Sequence, residues 1–392
     1  MRPVKIATAS VAVVVLLVAL IPTAHAQTYS VLYNFKSGPA GIVPFDGLTL
    51  DARGNLYGTA DGDGAVASGT VFKLDPHGKY TVLYNFTGRG GDGQSPFVGT
   101  LTRDHAGNLY GTTINGGIYS QFCIPGCGTV YKIDPQGKET ILHTFTGTGG
   151  DGAQPYGGVI LDSSGNLYGN ATAGGISGGG IIFKLDSHGK QAILYNFTGG
   201  ADGSAPIGTL VADNNDNFYG TAATGGANGY GTVFKIDSVG KFTLLYTFTG
   251  GADGGFSESP LVMDPAGNLY GTTDLGGASG FGNVFKVDTK GNETVLYSFT
   301  GGADGGSPSY AGLVRDDAGN LYGAAPSGGT AFGFGVVFKI DTTGKETVLH
   351  RFKGSDGRIP DGSLTLDSHG NLYGTTTLGG AFNGGVVYKI SR

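Results

Sequence analysis

The chain has 392 residues, a formal charge of −6, 77 glycines, 20 tyrosines, 22 phenylalanines and no tryptophan. Only 14% of its residues are charged, yet aromatic and β-branched residues are plentiful, which excludes a disordered chain. The acidic balance argues against a nucleic-acid partner, because phosphate binding needs a basic face.

At the start, Arg2 and Lys5 precede an apolar run from Ile6 to Ile21, and Ala24-His25-Ala26 forms a small-residue cleavage site before Gln27. This is the pattern of an export signal, and the run is short for a membrane span. Residues 1–26 are therefore expected to be removed. That takes away two positive charges and no acid, moving the formal charge from −6 to −8. No second long apolar run follows. The mature chain is expected to be secreted, periplasmic or on the cell surface, without a membrane span, and monomeric.

From there the chain repeats. Gly-Asn-Leu-Tyr-Gly stands at Gly54–Gly58, Gly107–Gly111, Gly165–Gly169, Gly267–Gly271, Gly319–Gly323 and Gly370–Gly374, with Asp216-Asn217-Phe218-Tyr219-Gly220 as a worn seventh copy. The motif asparagines are separated by 53, 58, 51, 51, 52 and 51 residues. A fixed period of this size marks a repeat architecture. Each unit holds four strand-like runs; in the first they are Gly47–Asp51, Asn55–Thr59, Thr70–Asp75 and Tyr80–Phe86. All are rich in β-branched and aromatic residues and bounded by turn formers. Asp-x-x-Gly-Asn (Asp51 to Asn55) joins the first run to the second, and Asp-x-x-Gly-Lys (Asp75 to Lys79) joins the third to the fourth. These are tight hairpins, in which Asp bonds the backbone two residues on and Gly supplies positive φ.

Four antiparallel strands in about 50 residues match one blade of a β-propeller. The fourth-strand motif occurs seven times, but its first copy, Val31–Phe35, precedes every other strand, and the last unit, Gly362–Ile390, lacks one. The expected fold is all-β: a seven-bladed propeller over residues 27–392, whose N-terminal strand 29–35 completes the last blade, 362–390. That swap leaves no free edge at the seam.

The run Gly-Gly…Gly-Thr-Val-Phe-Lys-Ile-Asp, at Gly225-Gly226 to Asp237, has a close copy at Gly276-Gly277 to Asp288. It resembles the GloVer (Gloeobacter/Verrucomicrobia) tandem repeat of exported bacterial proteins, over essentially the whole mature chain. The resemblance implies export and brings no enzymatic activity, so it supplies no catalytic residues. Members of that family typically carry a C-terminal anchor, and none is expected here.

In a ring of like units, features present in every blade serve the fold, and chemistry should break the repeat. The long loops, second-to-third and fourth-to-first, emerge on one face, where binding residues concentrate. Tyr119, Phe122, Tyr230, Phe281, Phe332, Phe334 and Phe382 sit among glycines in the second-to-third loops. They suit either a stacking surface for a glycan, peptide or protein or a plug over the core. The fourth-to-first loops carry Asp92, Asp151, Asp202, Asp253, Asp304 and Asp356. Six carboxylates on one rim are candidate Ca²⁺ ligands, although each loop offers a single acid and turn chemistry accounts for them as well. Arg103 and Arg315 replace the leucines found at Leu50, Leu161 and Leu366 and are expected beside the channel, on the loop-rich face. Cys123 and Cys127 lack the further ligands a zinc site needs, and a disulfide pinning the long loop Ile114–Gly128 is expected in an oxidising compartment. No Ser-His-Asp grouping and no paired acid stands apart from the turns. The sequence favours a non-enzymatic binding scaffold without a cofactor. The alternative is a propeller hydrolase or lyase with a metal-assisted site in the central channel.

Overall fold

The computed structural model describes residues 27–391 apart from 40, 63, 65, 66, 98, 120 and 122; the export-signal reading, on residues 1–26, lies outside them. The described residues form strands and loops, and no helix among them is long and apolar enough to cross a membrane.

Seven antiparallel sheets of four strands form the expected seven-bladed ring. In blade 1, over 49–85, Thr49–Leu50 pairs with Leu56–Ala60, that with Thr70–Leu74, and that with Tyr80–Asn85. Blades 2 to 6 repeat the order over 102–144, 160–196, 211–247, 262–298 and 314–351. Blade 7 takes three strands from 365–391 and its outermost from Thr28–Asn34, which pairs with Val386–Ser391. That closing strand is held on both sides. Tyr29 stacks on His350 of blade 6 at 3.7 Å, and Tyr33 stacks on Tyr80 of blade 1 at 4.2 Å.

The recurring motif builds its own turn. Asp51 Oδ1 accepts the Arg53 and Asn55 N–H groups, both at 2.9 Å, and Oδ2 accepts Asn55 Nδ2 at 2.8 Å and the Tyr57 hydroxyl at 3.1 Å. The Asp–Asn–Tyr grouping recurs in all seven blades, down to Asp367, Asn371 and Tyr373. These donors hold each turn carboxyl below its usual range wherever a shift is resolved, as at Asp264 and Asp367, against the opposing effect of burial. The lysine that follows the third-strand aromatic is cross-strand partner to the motif tyrosine. In six blades its ammonium lies over that ring, as Lys184 does over Tyr168 at 5.3 Å, a cation–π contact.

The core lies between neighbouring blades. At the blade 1–2 boundary Val71, Phe86, Leu101, Leu109, Tyr131 and Ile133 pack together, each large side chain contributing about 1.5–3 kcal/mol. Every third–fourth strand pair carries a bulge; in blade 3 it leaves Leu194 as the extra residue. The Leu194 carbonyl then meets the next blade's hairpin, where a Cβ on Gly240 (φ +89°) would lie 2.5 Å from it. That position needs glycine twice over, for its φ and for the approach.

Toward the axis the first strands shrink to two residues. Threonines there bond the neighbouring blade: Thr49 donates to Leu101 O, Thr102 to Val159 O and Thr365 to Leu48 O. Inner segments touch, a Cβ on Gly99 falling 2.3 Å from Gly158 N. Among these segments lies a cavity of about 10 Å³, lined by Asp46, Thr100, Thr209 and Ser363 among others, room for about one water.

Candidate functional site

The rim aspartates of the loop-rich face close turns. Asp92 Oδ2 accepts Thr87 N and Oγ1, both at 2.6 Å; Asp151 accepts Thr146 N at 2.9 Å; Asp202, Asp253 and Asp304 accept Thr198, Thr249 and Thr300 N at 2.8 Å; Asp356 accepts Lys353 N at 2.7 Å. Among the described residues no three His, Cys, Asp or Glu side chains are grouped so as to hold a metal ion. At three boundaries a glutamate that opens the next outer strand approaches the same aspartate: Glu139 beside Asp92, Glu293 beside Asp253 and Glu346 beside Asp304. Burial pushes each glutamate up to about 7, and the neighbouring aspartate adds to the rise. Glu139 Oε2 also accepts the Tyr84 hydroxyl at 2.9 Å.

The loop aromatics lie further out, over the glycines that follow each outermost strand. A Cβ on Gly250 would strike the Tyr230 ring at 2.5 Å, one on Gly301 the Phe281 ring at 2.6 Å, and one on Gly354 the Phe334 ring at 3.3 Å. Each ring thus has one side on backbone while the other faces outward; Tyr230 and Phe281 remain 38% and 41% exposed. Tyr119, Phe332 and Phe382 are more open, at 58%, 81% and 57%. Phe122 lies outside the described residues. Cys123 and Cys127 are joined in a disulfide. Its sulfurs sit over Gly147 as the rings sit over the other glycines, so in blade 2 the bridge takes the aromatic's place.

Arg103 and Arg315 are not on this face. Each directly precedes the aspartate of its first hairpin, and its guanidinium lies 3.1 Å from where a Cβ on the hairpin glycine, Gly107 or Gly319, would stand. A residue next to the hairpin aspartate stands at the hairpin end of its strand. Both arginines belong to the opposite, hairpin face.

What surrounds the channel mouth is a position that the sequence reading passed over. Each fourth-to-first loop enters its blade through a non-glycine residue in the left-handed region: Val43, Ser95, Gln154, Ala205, Phe256, Ser307 and Ile359, with φ from 51° to 62°. The backbone there is clamped. Ile359 N–H donates to Phe334 O of the preceding blade at 3.1 Å, and Ile359 O accepts Thr377 N–H of its own blade at 2.9 Å. Proline follows in six of the seven, and the mouth residue comes next, or next but one in blade 6. These residues are Phe45, Phe97, Tyr156, Ile207, Glu258, Tyr310 and Asp361, a different set of side chains on one backbone path. The available signal was the departure from the repeat itself.

Four of the seven carry rings, and these meet one another. Phe45 stacks on Phe97 at 4.0 Å and meets Tyr310 edge-on at 5.4 Å, and Phe97 meets Tyr156 at 6.2 Å. Beside them stand Glu258, Asp361 and Asp274. Burial pushes Glu258 up to about 7, with Asp274 adding and a hydrogen bond to Tyr310 opposing. Burial likewise raises Asp361 to about 7, opposed by Thr377 and reinforced by Asp274. Asp274 Oδ1 accepts the Ser309 hydroxyl at 2.9 Å. Below them, burial raises Asp46 to about 7 against hydrogen bonds from Gly47, Gly99 and Thr100. Among the described residues none of the four is in an ion pair, the pairs being His143–Asp151 and His350–Asp356. The mouth therefore joins apolar ring faces to carboxyl groups that no described cation pairs.

The chain matches the model of the Gloeobacter/Verrucomicrobia repeat over residues 123–331 and 303–392. No curated protein matches it in sequence. Among solved structures, it resembles the extracellular domain of a putative one-component system from B. thetaiotaomicron, with a TM-score of 0.59, 11% identity and 94% of this chain covered; it spans 40% of that structure. It also resembles a gluconolactonase from Xanthomonas campestris, with a TM-score of 0.45, 13% identity, and 93% of this chain and 89% of that one covered. At such identities the likeness is one of fold. By the repeat it carries, the chain belongs to the Gloeobacter/Verrucomicrobia repeat family.

Proposed function

We propose that the protein is an exported, non-enzymatic binding module whose loop-rich face docks a cationic segment of a peptide or protein partner. The observation that carries this reading is the mouth, where Tyr310, Phe45 and Phe97 stand beside Glu258, Asp274 and Asp361 with no basic side chain paired to them. A Lys or Arg side chain over a ring face gains about 0.5–2 kcal/mol, and a carboxylate beside it adds a charge-assisted hydrogen bond. The net negative charge of the whole chain, −6, speeds encounter with a basic partner. The exposed rings of Tyr119, Phe332 and Phe382 extend the contact surface outward. Export rests on the sequence of residues 1–26 and is checked by N-terminal sequencing of the protein recovered outside the cell.

Titration of the mature chain with a lysine-rich peptide tests the reading. Binding should strengthen from pH 5 to pH 8, because Glu258 and Asp361, both near 7, must release protons to receive a cation. Tyr310→Ala and Asp361→Asn should each weaken it about tenfold or more. Equal binding by a neutral oligosaccharide, or variants that bind as well as the parent, would overturn the proposal.

A further inference from the structure

Three residues that break the repeat meet on the hairpin face. Arg53 stands in the first hairpin of blade 1 where blades 2, 5 and 6 have Ala106, Ala266 and Ala318; Arg103 replaces a leucine; and His105 follows it in the next hairpin. The groove between blades 1 and 2 brings all three together with Lys73 and Lys79, around a cavity of about 630 Å³. That is within the range of about 300–1,000 Å³ usual for small-ligand sites.

The groove's three carboxylates, Asp51, Asp75 and Asp134, are hydrogen-bonded within their own turns, Asp51 and Asp75 staying ionised, against the four cations Arg53, Lys73, Lys79 and Arg103. Asp51 accepts four donors from its own turn and Tyr57. Asp75 accepts His77 and Lys79 N–H at 2.9 Å, and Asp134 accepts Gln136 and Lys138 N–H at 2.9 Å. Among the described residues neither ion pair involves the groove's cations. Tyr57 moreover gathers two of them: Lys73 Nζ lies 6.0 Å from its ring centre and Arg103 Cζ 5.7 Å. In the other blades that show this contact the ring carries a lysine alone. Like charges drawn to one ring repel each other, and an anion placed between them reverses the sign of that energy.

We propose that this groove is a second binding site, for a ligand that carries an oxyanion group: a carboxylate, sulfate or phosphate. The planar guanidinium of Arg103 matches such a group with two parallel hydrogen bonds, and Lys73, Lys79 and Arg53 surround it with positive charge. The site lies on the face opposite the mouth and is independent of the function proposed there. Free inorganic anions and acidic saccharides share this chemistry.

The test is calorimetric titration of the mature chain with a uronic-acid disaccharide, with its neutral counterpart, and with sodium sulfate against sodium chloride at equal ionic strength. The acidic disaccharide should bind at least about tenfold more tightly than the neutral one. Sulfate binding as tightly as the disaccharide assigns the site to free oxyanions; weaker sulfate binding assigns it to the acidic sugar. Arg103→Leu, which installs the side chain of Leu50, Leu161 and Leu366, should cost about tenfold. Arg315→Leu, the same change in blade 6, should cost nothing. Neither variant should alter the peptide titration at the mouth, so the two proposals fail separately. Equal binding of acidic and neutral disaccharides, an Arg103→Leu variant that binds like the parent, or no binding of any probe overturns the inference.

Discussion

Replacing Glu139, Glu293 and Glu346 together by glutamine should flatten the fall in stability from acid to neutral pH. Each glutamate rises from 4.5 to about 7 on folding, through burial and a neighbouring aspartate. The folded state therefore holds a proton that the unfolded chain releases between those values. Stability from this source is fully present below about 4.5 and is lost as pH rises through 7. Moving one group from 4.5 to about 7 corresponds to about 3.4 kcal/mol. All three are partly open to solvent, so about a third of that, about 1 kcal/mol each and about 3 kcal/mol for the three, is the appropriate size. The turn aspartates, held low by their hydrogen bonds, act in the opposite sense but lose their contribution only below their ordinary value of 3.8. They therefore leave the interval from pH 5 to 8 to the glutamates and to Asp46, Glu258 and Asp361, opposed there by His350, which burial holds below its ordinary 6.5 and whose contribution is lost as pH falls. Urea denaturation at pH 5, 6.5 and 8 reads the effect: the parent should be less stable at pH 8 than at pH 5, and the triple variant should lose about a quarter to a third of that slope, the more deeply buried Asp46, Glu258 and Asp361 carrying the rest. A parent equally stable at both values, or a variant with the parent's slope, would refute the argument.

Gly178→Ala and Gly240→Ala compare two glycines of similar φ, +80° and +89°. The first has nothing within 4 Å of its would-be Cβ and should cost about 1 kcal/mol; the second, facing Leu194 O, should cost at least about 2 kcal/mol more in urea denaturation, and equal costs would mean that the close approach is not a constraint. A chain beginning at Lys36 lacks the outer strand Thr28–Asn34 and leaves Val386–Ser391 as an open edge; it should self-associate in sedimentation, and a monomer of undiminished stability would show the seam to be dispensable.

The ring, its count of seven and its closing strand were all legible because each rests on short-range chemistry repeated many times. Asp51, Gly54 and Asn55 specify a hairpin wherever they recur, and the lone early copy Val31–Phe35 can pair only with the unit that lacks it. The face of a given residue was harder to read. Arg103 directly precedes the hairpin aspartate Asp104, and that adjacency, whatever the strand's length, puts it at the hairpin end and away from the mouth. The mouth itself left no motif, because its defining property is that Phe45, Glu258 and Asp361 differ. The pairing of Glu139 with Asp92 is a contact between blades, and no periodicity within one unit announces it.

The clamped left-handed residue before each mouth position has a consequence for the history of the molecule. Ile359 is fixed by backbone hydrogen bonds to Phe334 and Thr377, and proline restricts the next step. The path of the loop therefore owes little to the side chain it delivers. The mouth is in this sense a variable surface on an invariant frame, and relatives built on the same repeat should differ there first.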